Sequence, residues 1–402
     1  MARHQALLTA FLTVALGACD RLVTEAPLDG DLFDAPVAGL TQSELAAFAR
    51  GDVEFGRRFA PATGLGPIFN NVSCASCHSG DGRGRLDNVL RRIGSSADDF
   101  LRADGGPQVQ DKAIAGASPE RVPVGIAVSV RLPPPVFGVG LIEAIADSVI
   151  MARADPDDRD GDGISGRVNL VHAADFVPLS EPGGGTAKRV GRFGRKAQVS
   201  NLVEQTVEAY HQDIGITSDF RVEENRNPQS SIPVEAHDRV ADPEIGAATV
   251  QAVVHYMRGL APPAPGGETA QRVEGRKLFE QVRCSACHTP RLTTGRSVIA
   301  ALSNQPVDLY SDLLLHDMGD ELADDRPDGE ASGREWRTTP LWGLRLMRGF
   351  LNGEAFLLHD GRARTVEEAI RLHGGEARSA RDAFVALTPA QRAALLDFVE
   401  SR

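Results

Sequence analysis

The sequence predicts a mainly α protein made of two similar helical domains, the first of which carries a long insertion rich in loops. An internal repeat is the first observation. A helical stretch, a loop and Cys-x-x-Cys-His occur at 56–78 and again at 275–288. The proline-rich run 261–267 between the two copies cannot continue a helix and indicates a linker. Residues 105–240 exceed the needs of one small helical domain and are expected to hold an elaborate insertion or a third lobe. Their proline and glycine runs favour long ordered loops.

The repeat also sets the expected boundaries of the domains. It aligns Gly56 and Phe59 of the first copy with Gly275 and Phe279 of the second, and the first copy has the longer loop before its cysteines. We expect an export signal at 1–18, a tether at 19–40, an N-terminal domain at 41–260, the linker at 261–267 and a C-terminal domain at 268–402.

The two Cys-x-x-Cys-His motifs are typical of covalent haem attachment. Two thiols at this spacing can bond to the vinyl groups on one edge of a porphyrin, and the histidine that follows can reach the iron. Cys-x-x-Cys also serves zinc and thiol redox sites, but two copies with a trailing histidine favour haem. The sequence therefore predicts two cytochrome c-like domains, each with one haem c. The attachment residues are Cys74, Cys77, His78, Cys284, Cys287 and His288.

Capping motifs mark the beginnings of three predicted helices, at Thr41, Thr365 and Thr388. In each case the threonine is followed three residues later by Glu or Gln, the pattern of a capping box. Proline at the first helical position strengthens the third. This last helix carries an apolar stripe, so we expect it to pack on the second domain.

Composition places the chain among ordinary globular proteins. It has 402 residues, of which 42% are hydrophobic and 24% charged, so disorder is not expected. The formal net charge of −12 argues against a nucleic-acid partner, because phosphate binding needs a basic surface. The same negative charge is compatible with a cationic electron-donor protein as partner. The opposite charges of the two proteins would steer the donor toward this chain.

The first residues resemble a bacterial lipoprotein signal. Arg3 precedes the apolar run 6–16, and Leu-Gly-Ala-Cys at 16–19 resembles a lipobox. The thiol of Cys19 would accept diacylglycerol, which also accounts for the fifth cysteine. The alternative is an ordinary signal peptide in which Cys19 is incidental. We therefore expect a lipoprotein anchored to a membrane in the bacterial periplasm.

An acidic loop in the insertion predicts a calcium site. Asp158, Asp160 and Asp162 alternate along the chain and are followed by glycine, as at the start of a calcium-binding loop. The twelfth position is Asn169 rather than the Glu of an EF-hand, so an EF-hand is not expected. The alternative is a solvated acidic turn.

Further motifs are spread over nearly the whole chain beyond Cys19. They lie at 64–70, 138–143, 160–167, 191–194, 311–319, 335–343, 359–363 and 373–377. Together with the two haem motifs they resemble the di-haem oxidoreductase (putative peroxidase) family, which is related to the bacterial di-haem cytochrome c peroxidases. The chain departs from the family pattern at Arg195, where the family usually has tryptophan. Related di-haem enzymes pass electrons through a tryptophan between the haems, so the resemblance leaves this bridge open.

The resemblance implies a di-haem c-type oxidoreductase that reduces hydrogen peroxide. The C-terminal haem would take electrons from a small cytochrome or cupredoxin and relay them to the N-terminal haem. One alternative is a high-valent di-haem oxidase of a partner protein or another substrate. A second is a non-catalytic electron-transfer cytochrome. The sixth iron ligands separate enzyme from carrier, because only an open iron binds peroxide.

His373 is the predicted sixth ligand of the second haem. It follows the helix that begins at Thr365, on the same face as the apolar residues of that helix, and two glycines come directly after it. The resemblance to the related peroxidases implies a methionine from the corresponding helix in those enzymes. Met318 is the rival ligand, and a buried histidine bonded to a backbone carbonyl is the structural alternative. His316 and His359 are expected to bond propionates or neighbouring loops.

The first haem has no convincing sixth ligand in the sequence. Four histidines are possible but are expected to be structural: His172, His211, His237 and His255. Residues 201–205 resemble the segment of the di-haem peroxidases that carries a distal glutamine, which implies a catalytic Gln205. In those enzymes a carboxylate follows about one helical stretch later, and the nearest here is Asp213. Glu143 is the other candidate acid, and an ordinary amphipathic helix is the alternative to the whole assignment.

Overall fold

The computed structural model of the chain describes residues 28–78, 80, 82–94, 96, 101–233 and 236–402. The predicted signal at 1–18, Cys19 and the first part of the predicted tether lie outside these ranges. In the described part of the chain no helix is long and apolar enough to cross a membrane.

Only 35% of the described residues are helical, so the expectation of a mainly α protein holds for the long elements and not for the number of residues in helices. Loops of the insertion and of the C-terminal region account for the difference. The helices are α1 Gln42–Gly56, α2 Cys74–Cys77, α3 Val139–Ala144, α4 Asp147–Met151, α5 Leu202–Ala209, α6 Ala247–Gly259, α7 Ala270–Gln281, α8 Leu344–Phe350, α9 Val366–Arg371, α10 Arg378–Ala386 and α11 Pro389–Glu400.

The strands are short and form small antiparallel sheets. The three-stranded sheet has the order β3-β2-β5, and the two-stranded sheets pair β1 with β4, β6 with β7, β8 with β9 and β10 with β11. The strands are β1 Ile68–Phe69, β2 Leu90–Ile93, β3 Gln108–Val109, β4 Lys112–Ala113, β5 Val128–Arg131, β6 Leu170–Val171, β7 Arg189–Val190, β8 Leu292–Thr293, β9 Pro306–Val307, β10 Leu315–Asp317 and β11 Glu335–Arg337.

Helices α1 and α6 cross closely and form the frame around the first haem motif. Helix α1 begins as predicted, with a capping box between Thr41 and Glu44. A Cβ atom added at Gly51 would collide with the backbone of Ala252 in α6, so glycine allows the close approach. The ring of Phe55, one turn later, lies 5.4 Å from that of Tyr256.

Helices α7 and α11 repeat this arrangement in the C-terminal unit. A Cβ atom at Gly275 would collide with the backbone of Ala394 in α11, and the ring of Phe279 lies 5.5 Å from that of Phe398. Both pairs of helices therefore cross at a glycine that is followed four residues later by phenylalanine.

The predicted register of the repeat is corrected by these contacts. Gly56, which the sequence aligned with Gly275, ends α1 and has no atom within 4 Å of an added Cβ. Phe59 packs against Tyr210 in a different part of the core. The structural equivalents of Gly275 and Phe279 are Gly51 and Phe55, because only these occupy the helix crossing.

The described part of the predicted tether, residues 28–40, belongs to the folded body. Phe33 is 3% exposed, and its ring stacks on that of Phe137 at 4.8 Å. The amide of Val37 donates to the carbonyl of Gly259 at 2.7 Å. Burial of an aromatic side chain and backbone pairing fix this segment, so the tether interpretation is wrong for these residues.

The loop-rich insertion joins the two helical units instead of forming a separate lobe. Arg167 and Leu315 exchange backbone hydrogen bonds across the units at 3.1 and 2.8 Å. The side chain of Lys196 is fully buried and pairs with Asp324 at 2.7 Å. Asn169 donates to the carbonyl of Asp328 at 2.9 Å. These contacts hold the two haem motifs in a fixed relation.

Candidate haem sites

The first Cys-x-x-Cys-His motif lines a cavity at the centre of the N-terminal unit. Cys74 and Cys77 lie on the one-turn helix α2, which Ser73 caps by accepting the amide of Ser76 at 3.1 Å. Both cysteines and His78 face the cavity. The apolar part of its wall includes Phe55, Val136, Phe137, Ile142, Leu202 and Val253.

The second motif lines a similar cavity in the C-terminal unit. Cys284 lies on a short 3-10 turn, and Cys287 and His288 follow it directly. All three residues line the cavity. The apolar part of its wall includes Phe279, Leu341, Leu344, Val366, Ile370 and Leu395.

The histidines of the two motifs, His78 and His288, are neutral and can therefore bind a metal ion. Burial lowers the pKa of His78 and of His288 to about 4, so both rings are neutral at pH 7. Nδ1 of His288 donates to the carbonyl of Tyr310 at 3.0 Å, which leaves Nε2 unprotonated for a metal. At His78 the backbone of Gly82 and of Pro134 opposes the larger effect of burial on the pKa. Phe55 and Phe279 lie at matching positions, with ring centroids 6.1 and 6.4 Å from the two imidazoles.

His373 lies on the wall of the second cavity, just past the end of α9. Its Nδ1 donates to the carbonyl of Ala369 at 2.7 Å, so Nε2 is again the nitrogen left for a metal. His288 lines the same cavity, so the two imidazoles share it.

The other candidates at the second cavity have different surroundings. Met318 also lines the cavity and is the only methionine among its lining residues. His316 lies between two carboxylates, Asp312 at 2.9 Å and Glu376 at 2.7 Å. His359 stacks on Trp336, with ring centroids 3.7 Å apart. His316 is thus held by neighbouring loops, and both of its nitrogens are occupied.

Gln205 and Asp213 are brought together on the wall of the first cavity. Gln205 lies on α5, which Asn201 caps by accepting the amide of Glu204. A π-helical turn over Tyr210–Ile214 continues α5 and carries Asp213. Because π turns change the face on which a side chain emerges, this turn contributes to the placement of Asp213 at the cavity.

The carboxyl group of Asp213 is buried and titrates near neutrality. Burial raises its pKa to about 6, and a hydrogen bond from Gln108 opposes that shift. A group with a pKa in this range can both accept and donate a proton at physiological pH.

Glu143 does not line the first cavity. Its carboxylate pairs with Arg258 at 2.6 Å and accepts the amide of Leu202 at 3.0 Å. It joins α3 to α5 and α6, so the prediction of a catalytic acid at this position is wrong.

None of the four other candidate histidines lines the first cavity. His172 contacts the carbonyl of Thr186, His211 that of Glu223, and His255 that of Glu44. Next to His237 lies Gly116, where an added Cβ would contact the imidazole.

Met257 lines the first cavity and was missed by the sequence analysis. It is 7% exposed and lies near the end of α6. A methionine in an amphipathic helix reads as ordinary core, so only the position of α6 beside the haem motif identifies it.

The acidic loop is folded back on itself. The ligand atoms of Asp158, Asp160 and Asp162 lie within 4.8 Å of one another. Their carboxylates accept amides of the loop, and Asp162 also pairs with Arg283 beside the second haem motif. Asn169 is 1% exposed and donates to the backbone carbonyl of Lys196. The calcium site stays a prediction.

Strand β11 and the residues after it form a common wall between the two cavities. Arg337, Thr339 and Pro340 line both of them. The two tryptophans of the chain lie on either side, with Trp336 at the second cavity and Trp342 at the first. Arg195, which occupies the position of the family's tryptophan, lines the second cavity.

The residues at both cavities fit a haem group. Each has two cysteines and a neutral histidine on one wall, and apolar side chains around the space in front of them.

Comparison with known proteins identifies the family. The family described as "Di-haem oxidoreductase, putative peroxidase" matches residues 19–103 and 120–402. The chain belongs to this family. Membership implies two haem groups in this di-haem oxidoreductase. No curated protein is similar enough to the chain to count as a relative.

Two solved structures show distant similarity. Hydrazine synthase of Kuenenia stuttgartiensis, in a crystal pressurised with xenon, is 14% identical and has a TM-score of 0.41; the match covers 94% of this chain and 96% of that one. A MauG-like protein associated with microbial copper homeostasis is 16% identical and has a TM-score of 0.31, over 66% of this chain and 88% of that one.

Proposed function

We propose that this di-haem oxidoreductase is an exported, lipid-anchored enzyme that reduces hydrogen peroxide to water. Two electrons from a small cytochrome or cupredoxin and two protons convert one peroxide molecule into two of water. The haem groups would be attached covalently through the two Cys-x-x-Cys-His motifs. The observation that carries this proposal is the difference between the cavities: His288 and His373 line the second, whereas the first has Gln205 and Asp213 on its wall.

The second site is suited to electron entry. When bound, the haem groups supply redox-active iron at both cavities. His288 and His373 each bond a carbonyl through Nδ1, so both can present Nε2 to one metal ion. Two imidazole ligands would exclude peroxide from this site, which would then only accept and pass on electrons.

The first site is suited to proton transfer. Cleavage of the O–O bond of peroxide requires a proton to move from the near oxygen to the far oxygen. Asp213 can carry out this transfer because its pKa is raised by burial to about 6. The amide of Gln205 can donate a hydrogen bond that orients the peroxide. These two residues provide what a catalytic site needs beyond the metal.

Met257 supports a second candidate function, that of a non-catalytic electron carrier. A thioether is a common sixth ligand of c-type haems, and this one lines the first cavity. If Met257 occupied that position permanently, peroxide could not bind at either site.

Spectra of the purified protein test the proposal. Two haems per chain should survive acid-acetone extraction, because thioether bonds are covalent. Electron paramagnetic resonance should show one low-spin site and one site that is high-spin or becomes so on partial reduction. Peroxide should rapidly oxidise the reduced protein. One haem per chain, or zinc in place of iron, would contradict the proposal.

A Met257→Leu variant separates the enzyme from the carrier. The enzyme is supported if this variant and the wild type reduce peroxide at similar rates. The carrier is supported if the wild type is inert and low-spin at both sites while Met257→Leu gains a high-spin signal.

A further inference from the structure

Three buried arginines lie at or beside the wall that separates the two cavities. Arg83, Arg195 and Arg337 are only 6%, 4% and 8% exposed. All three line the second cavity, and Arg337 also lines the first.

No carboxylate of the described residues forms an ion pair with any of the three. Arg195 donates Nε and Nη2 to the carbonyl of Leu132, at 3.0 and 2.7 Å. Arg337 donates to the carbonyls of Gly194 and Thr338, at 3.1 and 3.2 Å. In the part of the chain that the structure covers, Arg83 has neither a hydrogen bond nor an ion pair.

Such a cluster is unfavourable unless an anion accompanies it. Burial lowers the pKa of Arg83 and Arg337 to about 10. Burial lowers the pKa of Arg195 far below its usual range, and the charges of Arg83 and Arg337 lower it further. Buried charges are normally paired, because removing an ion from water costs far more than a hydrogen bond to a carbonyl returns.

Buried arginines elsewhere in the described fold form ion pairs with carboxylates. Arg131 pairs with Asp328 at 2.7 Å, and Arg258 with Glu143 at 2.6 Å. Arg192, three residues before Arg195, pairs with Asp147. The missing partner at the common wall is therefore specific to this cluster, and a ligand must supply it.

We propose that Arg83, Arg195 and Arg337 bind the propionate carboxylates of the haem groups, and that Arg195 thereby sets the reduction potentials of both sites. This inference rests on the two haem groups and not on the peroxide reaction. Each haem carries two propionates, which match guanidinium groups in charge and geometry. Where the family usually has an aromatic side chain at position 195, this chain has a cation.

The sign of the effect follows from the charges. Reduction adds one negative charge to the haem, so a nearby cation stabilises the reduced state more than the oxidised state. Arg195 lines the second cavity, and its backbone carbonyl accepts the amide of Arg337, which lines both cavities, at 3.0 Å. Removal of this charge should therefore lower both potentials.

Spectroelectrochemical titration of the holoenzyme tests the proposal. In Arg195→Gln, the ratio of oxidised to reduced haem at a fixed potential should rise at least tenfold at the second site, which corresponds to about 59 mV for a one-electron couple. Arg195→Lys should stay near the wild type, because a propionate would keep the buried ammonium protonated. Arg91→Gln, which removes an exposed cation with 45% side-chain exposure, should change neither potential.

Two further measurements complete the test. In the wild type, the propionate bending band of the resonance Raman spectrum should lie at the frequency of hydrogen-bonded propionates. This measurement needs no variant. Added phosphate should not shift the potentials, because the cluster is already neutralised. The proposal is wrong if Arg195→Gln keeps two haems with unchanged potentials, if the Raman band is that of free propionate, or if phosphate shifts the potentials. None of these readouts depends on peroxide turnover.

Discussion

His373 determines the redox character of the second site if it is the sixth ligand there. An imidazole stabilises ferric iron more than a thioether does, so a His/His site has a lower potential than a His/Met site. The hydrogen bond from Nδ1 to the carbonyl of Ala369 fixes the ring and leaves Nε2 for the metal. Met318, on the same cavity wall, would give the opposite character.

Replacement of His373 by Gly should therefore produce a high-spin centre that added imidazole returns to low spin. His373→Met should raise the potential of this site and introduce the near-infrared band of methionine bound to ferric iron. Electron paramagnetic resonance and absorption spectra measure both changes. Met318→Leu is the matched control and should stay low-spin. If His373→Gly keeps its low-spin signal while Met318→Leu loses it, Met318 is the ligand.

Asp213 should give the peroxide reaction a pH dependence. A carboxylate must be deprotonated to accept the first proton, and burial raises the pKa of this one to about 6. The rate should therefore fall as the pH decreases through about 6, and above that value it should be constant. Asp213→Asn should lower the rate about 10²- to 10⁴-fold and remove the inflection. Stopped-flow kinetics measure both effects.

Asp111→Asn provides the control for Asp213, since Asp111 is exposed and pairs with Arg91 on the surface. It should keep both the wild-type rate and the inflection. A full rate in Asp213→Asn would exclude this residue from proton transfer.

The sequence could indicate which residue types belong to the site but not which of them have partners. Gln205 and Asp213 were found through resemblance, and both line the first cavity. Glu143 looked equally suitable in the sequence. It is neutralised by Arg258, which lies 115 residues further along the chain. A contact at that separation leaves no local pattern, and the same is true of the unpaired arginines at the common wall.

At the scale of elements, each haem motif is supported by a pair of helices that cross at a glycine. Gly275 touches the backbone of Ala394, and Gly51 that of Ala252. A methyl group at either position would force the helices apart, and overpacking of this kind costs about 1–3 kcal/mol.

Gly275→Ala should accordingly reduce the free energy of unfolding by about 1–3 kcal/mol, measured by urea denaturation of the holoprotein. Gly56→Ala is the matched control, because an added Cβ there meets no atom within 4 Å. Alanine is favoured over glycine in a helix by roughly 0.5–1 kcal/mol, so this control should be neutral or slightly stabilising. Equal losses in the two variants would contradict the corrected register of the repeat.

Local sequence patterns predicted where helices begin. They did not predict which distant residues a segment packs against. All three threonines cap their helices as predicted, because the motif involves only four adjacent residues. The full capping box forms at Thr41 and Thr388, whereas at the Thr365 helix the carboxylate of Glu368 accepts the amide of Arg364 instead. Residues 28–40 were taken for a tether because of their prolines and glycines. The burial of Phe33 depends on Phe137, which no local pattern reveals.

At the scale of the whole molecule, charge is distributed unevenly. The chain has a formal net charge of −12, yet the wall between the cavities carries three buried arginines that form no ion pair with a carboxylate of the described residues. Such a cationic wall suits the anionic propionates that we propose as its partners. The insertion keeps the two sites together, since Lys196 and Arg167 tie it to Asp324 and Glu335 of the C-terminal unit.

We propose that Cys19 determines the location of the whole molecule. If the Leu-Gly-Ala-Cys run at 16–19 is a lipobox, the thiol of Cys19 accepts diacylglycerol and holds the protein at the membrane surface, where it could meet small redox proteins of the periplasm.

Replacement of Cys19 by Ala should therefore release the protein from the membrane fraction into the soluble periplasmic fraction, with both haems retained. Labelling with a radioactive fatty acid should mark the wild type and not the variant. Cys19 lies outside both haem motifs, so the absorption spectrum should not change, which separates loss of the anchor from loss of maturation. A wild-type protein that is already soluble and unlabelled would show that residues 1–18 are an ordinary signal peptide and that Cys19 is incidental.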